Sequence, residues 1–363
     1  MKILKKAEAA IAKWPKAAQV GMAAVLAVAL LAMAAYLWVL WTYRGMYDDS
    51  VDIVDKPSES PAPVETVLPD PVETSSGPVE QTDIYREEQQ RDDVYNILLV
   101  GMDARPGETY SRSDTIVLAS YNATDHDVSL TSFMRDSWVE LPGKGWQRIN
   151  AATAYGGIGM LVNTVNHNFD LDVQNYIIVR FDEFEDVIDV LGGVDVELTR
   201  QEISYINKKL HEEDHDYKHD VKAGPGLVRL NGAQALWHCR NRTIGDGDFS
   251  RTDRQRQVLS QIIRQGLETD VTALPGLVQE LSRHVSTNLE LDLITKLAAD
   301  ALMNKADMRI DTYNIPYEGM WSYANKNGAS VIKIDIPGTR DRLHEVLGDE
   351  PAQAETETAD QVG

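Results

Sequence analysis

"QNYIIVRFDEFEDVIDVLGGVDVEL", residues Gln174 to Leu198, changes its hydrophobic period twice. Its opening, 174–181, is a strongly apolar run rich in isoleucine and valine, as a buried strand would be. Apolar residues then fall at 184, 187, 188 and 191, which is one face of a helix. Gly192-Gly193 ends that helix, and "VDVEL" (194–198) returns to the period of a strand. Strand, helix and strand in succession predict an α/β domain: a single three-layer domain with a mixed central sheet flanked by helices.

Working outward, "VYNILLVG" (94–101), "DTIVLASYN" (114–122) and "VSLTSFM" (128–134) add three strands. Residues 150–169 read as a helix interrupted at Gly156 and Gly157. The domain is therefore expected over 94–347. Residues 17–43 carry no charge and, at 1.5 Å per residue, form roughly 40 Å of helix, enough to span a bilayer core of about 30 Å. Lys2, Lys5, Lys6, Lys13 and Lys16 precede this run, and Trp38, Trp41 and Tyr43 end it. The positive-inside rule then predicts a single-pass cell-membrane protein: a cytoplasmic head at 1–16, a transmembrane helix at 17–43, and an extracellular domain. Residues 44–93 are acidic and rich in proline, so a disordered stalk is expected there, with a disordered acidic tail at 348–363. The formal charge of -22 argues against a nucleic-acid partner, and the lone Cys239 excludes an intramolecular disulfide.

The candidate chemistry sits at strand ends. Asp103 follows the first strand of the domain, and Asp114 opens the next. Two carboxylates with room for water suit Mg²⁺; equally, they pair with Arg105 and Arg112, and spacing alone leaves both readings open. Arg135 stands at the end of a third strand. "CRNRTIGDGDFSRTDRQRQ" (239–257) then packs five arginines and no lysine. If "LWHCRNR" is a strand, His238, Arg240 and Arg242 share one face, opposite Trp237 and Cys239. The following stretch reads as a helix with Ser250 as N-cap and Asp253 completing a capping box. On that helix Arg251, Arg254 and Gln255 share a face with Val258, Leu259, Ile262 and Ile263, an odd arrangement for a helix that only packs. Asp246, Asp248 and Asp253 offset three of the arginines; the remaining two favour a phosphate-type anion, whose oxygens match the guanidinium fork. "HEEDH" (211–215) has the letters of a zinc motif but no apolar helical periodicity behind it, so a solvated loop is expected. Cys239 is expected to be a packed thiol.

"NILLVGMDAR", "SRSDTIVLASYN", "SFMRDSWVELPG", "INAATAYGG", "DVLGGVDVEL" and "LNGAQALWHCRNR…GDFSRTDRQRQ" occur in that order, and together they resemble the motifs of the LytR-CpsA-Psr family of cell-wall glycopolymer transferases. The resemblance covers about Val94 to Leu347. It implies an Mg²⁺-dependent phosphotransferase (EC 2.7.8-type). The enzyme would move a teichoic-acid- or capsule-type glycopolymer from an undecaprenyl-pyrophosphate carrier to the C6 hydroxyl of N-acetylmuramic acid in peptidoglycan. By motif position, Asp103 and Asp114 are the implied Mg²⁺ ligands and, with Arg135, the catalytic residues. Arg112, Arg135, Arg240, Arg242, Arg251 and Gln255 are the implied pyrophosphate ligands. A deep apolar pocket for the prenyl chain, beside helices such as 182–191, is implied as well. A lipid-pyrophosphate hydrolase and a non-catalytic binder of prenyl-pyrophosphate glycans are the rival readings.

Overall fold

The computed structural model describes residues 33, 37–56, 67–68, 79–89, 91–102, 112–214, 219–270 and 273–348. Two units are distinguished, Met1–Met46 and Tyr47–Gly363. In the first, residues 37–46 are helical. No helix among the described residues is long and apolar enough to cross a membrane, and most of the 17–43 run lies outside them. The expected head at 1–16 and nearly all of the expected tail at 348–363 also lie outside the described residues.

The second unit is a mixed α/β domain. Its central sheet has six strands in the order β11 (Ser286–Thr287), β8 (Asn175–Arg180), β3 (Val94–Met102), β4 (Ser113–Asn122), β5 (Asp127–Phe133), β12 (Arg309–Ile315). The pairs β3–β8 and β5–β12 are parallel, while β3–β4, β4–β5 and β8–β11 are antiparallel. Alternation along the strands sends side chains to two different cores. Leu98, Val100, Ile116 and Leu118 are buried beneath helix α1 (Ala152–Phe169). Val117 and Tyr121 face the other way, toward Leu259 and Ile263 of helix α5 (Asp248–Glu268) and Leu297 of helix α7 (Leu291–Met303).

Helix α1 is buried almost all round, as a helix enclosed between two layers must be. Its second neighbour is a four-stranded sheet, β13 (Trp321–Lys326), β14 (Ala329–Ile334), β6 (Ser137–Leu141) and β7 (Gly145–Arg148), which contributes Val139, Leu141 and Ile332 to the same core. A third core forms between helices α2 (Phe181–Val190), α3 (Arg200–Asp214) and α4 (Gly232–Cys239) and the antiparallel pair β9 (Val194–Leu198) and β10 (Gly226–Leu230). The "VDVEL" strand therefore forms, but in this small sheet and not in the central one. Helices α6 (Leu274–Leu281) and α8 (Ile336–Leu347) complete the described α-helices of the domain.

Two expectations are corrected. Part of the stretch 44–93, expected to be a disordered stalk, is built into the fold as the parallel pair β1 (Ile53–Asp55) and β2 (Ile84–Arg86). Val51 and Ile84 enter the main core, and Asn163 of α1 accepts from the Tyr85 N–H at 2.9 Å and donates to the Asp83 carbonyl at 2.8 Å. The glycines at 156 and 157 permit this approach: Gly157 has φ +68, and a Cβ there would stand 2.0 Å from Gln81 Oε1. The second correction concerns "LWHC", which is the end of helix α4 and not a strand. Asn231 caps that helix by accepting from the Gln234 N–H, while the Gln234 side chain accepts from the Asn231 N–H. The reciprocal cap overrides the strand-like spacing of the apolar residues.

Candidate active site

Four chain segments meet at one end of the central sheet. Asp114 lies at the start of β4, Arg135 between β5 and β6, Arg242 in the loop after α4, and Arg251 on the first turn of α5. Asp114 Oδ1 accepts from Arg135 Nη1 at 2.7 Å, and its Oδ2 lies 3.6 Å from Arg242 Nη2. Asp248 stands among three arginines. It is 3.0 Å from Arg135 Nε, 3.3 Å from Arg242 Nε and 3.4 Å from Arg251 Nη2. Asp136 adds a looser carboxylate, 3.7 Å from Arg135 Nε and 3.6 Å from Arg148 Nη1. Within this cluster four guanidinium groups face three carboxylates, a local cationic surplus in a chain of charge -22.

Burial sharpens the imbalance. Arg251 is almost fully buried, and that burial, with Arg135 and Arg242 nearby, pulls its pKa down to about 10. Burial works against the charge on Arg135 too, but Asp114 and Asp248 outweigh it and raise its pKa. For Asp136, burial raises the carboxyl pKa, and the neighbouring Asp248 adds to the shift against the pull of Arg135. A site that holds a buried cation at a cost is ready for a second anion.

The other arginines of the 239–257 stretch do different things. Arg254 Nε donates to Glu202 Oε1 at 2.9 Å, Nη1 to the Asn241 carbonyl at 3.0 Å, and Nη2 to the Ile244 carbonyl at 2.9 Å. It clamps the loop that carries Arg242. Arg256 bonds Asp253 and the Asn314 side chain. Arg240 lies 5.3 Å from the Phe181 ring centroid and 5.2 Å from that of Trp237, held between two aromatic rings. Phe181 in turn stands against Gly101 at the end of β3. Gln255 is half-buried one turn beyond Arg251. Arg112 is half-buried immediately before β4. Asp103 and Arg105 lie outside the described residues.

An apolar surface adjoins the cluster. On β3 and β8 the residues facing α1 are buried, whereas Tyr95, Ile97 and Leu99, with Ile177 and Val179, are only half-buried. Among the described residues, Ile97, Ile177 and Val179 join none of the three cores. Leu99 pairs with Ile177, and the strip runs to Gly101, whose partner Thr115 is next to Asp114. Helix α7 along this side is apolar in sequence yet has no fully buried residue.

A sequence model of the LytR_cpsA_psr family matches residues 70–341. The chain belongs to this family. Among its relatives, the polyisoprenyl-teichoic acid–peptidoglycan teichoic acid transferase TagU of Oceanobacillus iheyensis is 32% identical over 264 residues, covering 70% of this chain and 78% of that protein. TagU of Bacillus anthracis is 33% identical over 245 residues, covering 65% and 76%. The domain also resembles the solved structure of the LytR-CPS2A-psr family protein TagT with bound octaprenyl pyrophosphate lipid (TM-score 0.55, 25% identity, 72% of this chain and 94% of that one). It matches TagT bound to LI-WTA as well (TM-score 0.58, 26% identity, with the same coverage).

In this LytR-CpsA-Psr domain the structure brings together Asp114, Arg135, Arg242 and Arg251, and it sets Arg240 apart against aromatic rings. The capping box expected at Ser250 and Asp253 does not form. The helix begins earlier, with Gly247 as N-cap, and the Ser250 hydroxyl instead accepts from the Asp246 N–H at 2.7 Å. That earlier start makes Asp248 a first-turn residue and places it among the arginines. Asp136 and Arg148 were not singled out from the sequence. Asp136 directly follows Arg135, but nothing in the sequence pairs Arg148 with it across a strand junction. The apolar face of α2 is also reassigned: Phe184 and Ile188 pack into the third core, so they do not line the half-buried strip. In the zinc-like stretch, His211 belongs to helix α3 and not to a loop, and it hydrogen-bonds Asp220 at 2.7 Å. His215 lies outside the described residues. Cys239 is buried, and burial pushes its thiol up to about 12, as a packed thiol requires.

Proposed function

We propose that this chain is an extracytoplasmic, membrane-anchored phosphotransferase. It moves an anionic glycopolymer from an undecaprenyl-pyrophosphate carrier to the C6 hydroxyl of N-acetylmuramic acid in peptidoglycan. The supporting observation is continuity: a strip of half-buried Ile and Leu on β3 and β8 runs into a cation-rich cluster at the strand ends. A ligand that satisfies both has a long apolar chain joined to a concentrated anion, which describes a prenyl pyrophosphate. The apolar run at 17–43, behind a lysine-rich head, would tether the domain beside such a lipid.

Arg135, Arg242 and Arg251 bind and orient the pyrophosphate, with Arg112, Arg240 and Gln255 completing its surroundings. Phosphoryl transfer depends on positioning and charge stabilisation, which a fixed guanidinium cluster supplies. The acceptor oxygen bonds to the sugar-side phosphorus as the bond from that phosphorus to the bridging oxygen breaks. Undecaprenyl phosphate leaves, and Asp103 takes the hydroxyl proton. Asp114 and Asp103 would hold Mg²⁺. Asp114 offers hard oxygen donors, with Oδ2 held only at 3.6 Å by Arg242, and Mg²⁺ asks for one or two carboxylates. Bound there, the ion would neutralise phosphate charge.

Incubating the full-length protein with a lipid-pyrophosphate oligosaccharide, Mg²⁺ and nascent peptidoglycan, then weighing the products, tests this reading. Glycan on peptidoglycan through a phosphodiester is expected, and it should be abolished in Asp114→Asn. Free phosphorylated glycan would identify a hydrolase, and an unchanged substrate a binder.

A further inference from the structure

The four-stranded sheet carries a cleft of about 890 Å³ on which the proposed donor site makes no demand. Trp138, Trp146 and Trp321 line it, together with Lys326 and Lys333. Trp146 and Trp321 are half-buried, Tyr323 packs edge-on to Trp321 and is 67% exposed, and Lys333 is exposed; Asp335 also lines the cleft, so its two lysines leave one net positive charge. Lys326 lies 6.0 Å from the Trp138 ring centroid. Flat aromatic faces with polar rims suit sugar rings, whose C–H faces stack on them, and two lysines in a chain of charge -22 favour an acidic occupant.

This cleft is joined to the arginine cluster by three separate links. Trp146 and Arg148 are two residues apart on β7, hence on one face and about 7 Å apart along the strand. Trp138 stands two residues beyond Asp136, and Trp138 pairs with Arg148 across β6 and β7. Phe249, next to Asp248, stacks on Trp321 with ring centroids 4.9 Å apart. The four-stranded sheet packs on the α1 side of the central sheet, whereas the half-buried apolar strip faces the opposite side.

From this placement we infer that the Trp138–Trp146–Trp321 cleft binds the acceptor: an acidic amino-sugar glycan strand. The inference rests on the transferase reading. In-line displacement requires the attacking oxygen to enter opposite the leaving prenyl phosphate. With the prenyl chain on the β3–β8 strip, the attacker arrives from the α1 side, where this cleft opens next to Arg148 and Asp136.

Calorimetry on the full-length protein in detergent tests it, using peptide-free peptidoglycan glycan strands, and octaprenyl pyrophosphate in parallel. Trp146→Ala and Trp321→Ala should each weaken glycan binding about fivefold to tenfold, equivalent to one lost stacking contact. Both should keep the wild-type gain in melting temperature with octaprenyl pyrophosphate. Lys333→Glu, on an exposed side chain, should weaken binding of the carboxylate-bearing strand and leave a neutral chito-oligosaccharide unaffected. Wild-type glycan affinity in all three variants overturns the inference. So does a polyol-phosphate polymer that competes for the cleft where the amino-sugar strand does not, because the cleft would then hold the donor's polymer. If octaprenyl pyrophosphate gives the wild type no thermal gain, the donor reading fails on its own while the glycan result still decides the cleft.

Discussion

Arg251 and Arg254 stand less than one turn apart on the same buried side of α5, and replacing each by methionine should move stability in opposite directions. Arg254 makes three hydrogen bonds at 2.9 to 3.0 Å, to Glu202 and to the carbonyls of Asn241 and Ile244. Arg254→Met leaves a nearly buried carboxylate and two carbonyl groups without those donors, a loss of about 3 to 5 kcal/mol. Arg251 has a different balance. Its pKa is pulled from 12.5 to about 10 by burial and by two neighbouring cations. At roughly 1.4 kcal/mol per pKa unit, its charge costs the folded state on the order of 3 kcal/mol. The penalty is present at neutral pH and fades only above about pH 10. Methionine keeps most of the packing volume and removes the charge, so Arg251→Met should leave stability unchanged or raise it by about 1 to 3 kcal/mol. Urea unfolding of the two variants at pH 7 measures both. In the same samples octaprenyl pyrophosphate should raise the melting temperature of wild type but raise that of Arg251→Met far less. Equal destabilisation by the two substitutions, with ligand protection retained in Arg251→Met, would refute the division into a clamp and a ligand-binding arginine.

Two further tests follow from buried polar groups. His238 is fully enclosed, and burial pulls its pKa from 6.5 to about 4. The unfolded chain therefore takes up the proton first. Its contribution to stability is complete above about pH 6.5, falls as pH drops, and is reduced by about 3 kcal/mol by pH 4; His238→Gln should flatten this part of a urea-midpoint-versus-pH curve. Asn163→Leu removes the acceptor of the Tyr85 N–H and the donor to the Asp83 carbonyl. A loss of about 2 to 4 kcal/mol is expected, with faster amide exchange at Tyr85 and new proteolysis within 79–89.

Strands β3, β4, β5 and β8 of the central sheet were legible because each is a short apolar run, whereas its other two strands, Ser286–Thr287 and Arg309–Ile315, are too short or too polar to carry that signal. Helix α2 was legible because its spacing and its terminal glycines agree. "LWHC" was misread because its helix is set by the reciprocal cap of Asn231 and Gln234, which lies upstream of the apolar residues that suggest a strand. The segment 44–93 was misread for a complementary reason. Its proline-rich, acidic composition describes most of its length, but two short pieces gain burial on a surface of α1 that only the glycines at 156 and 157 make approachable. Composition averaged over a window cannot register a dozen residues whose partners lie 80 positions away.

The arginines show where residue type ends and surroundings begin. Their spacing assigns three of the five in one stretch to local carboxylates and two to an anion without saying which, and the fold divides them by what each already faces. Arg254 meets fixed acceptors on all sides, Arg256 meets Asp253 and Asn314, and Arg240 meets two aromatic rings. Arg135, Arg242 and Arg251 converge on Asp248, and Arg135 and Arg242 also share Asp114. Three cations sharing two carboxylates repel one another by roughly 3 kcal/mol per pair at 6 Å and an effective dielectric near 20. That repulsion is relieved only by another anion. The cations that Asp114 and Asp248 leave under-compensated are thus those with most affinity left for a substrate, and Asp248, read from the sequence only as an offset to the arginines, is the carboxylate on which they converge.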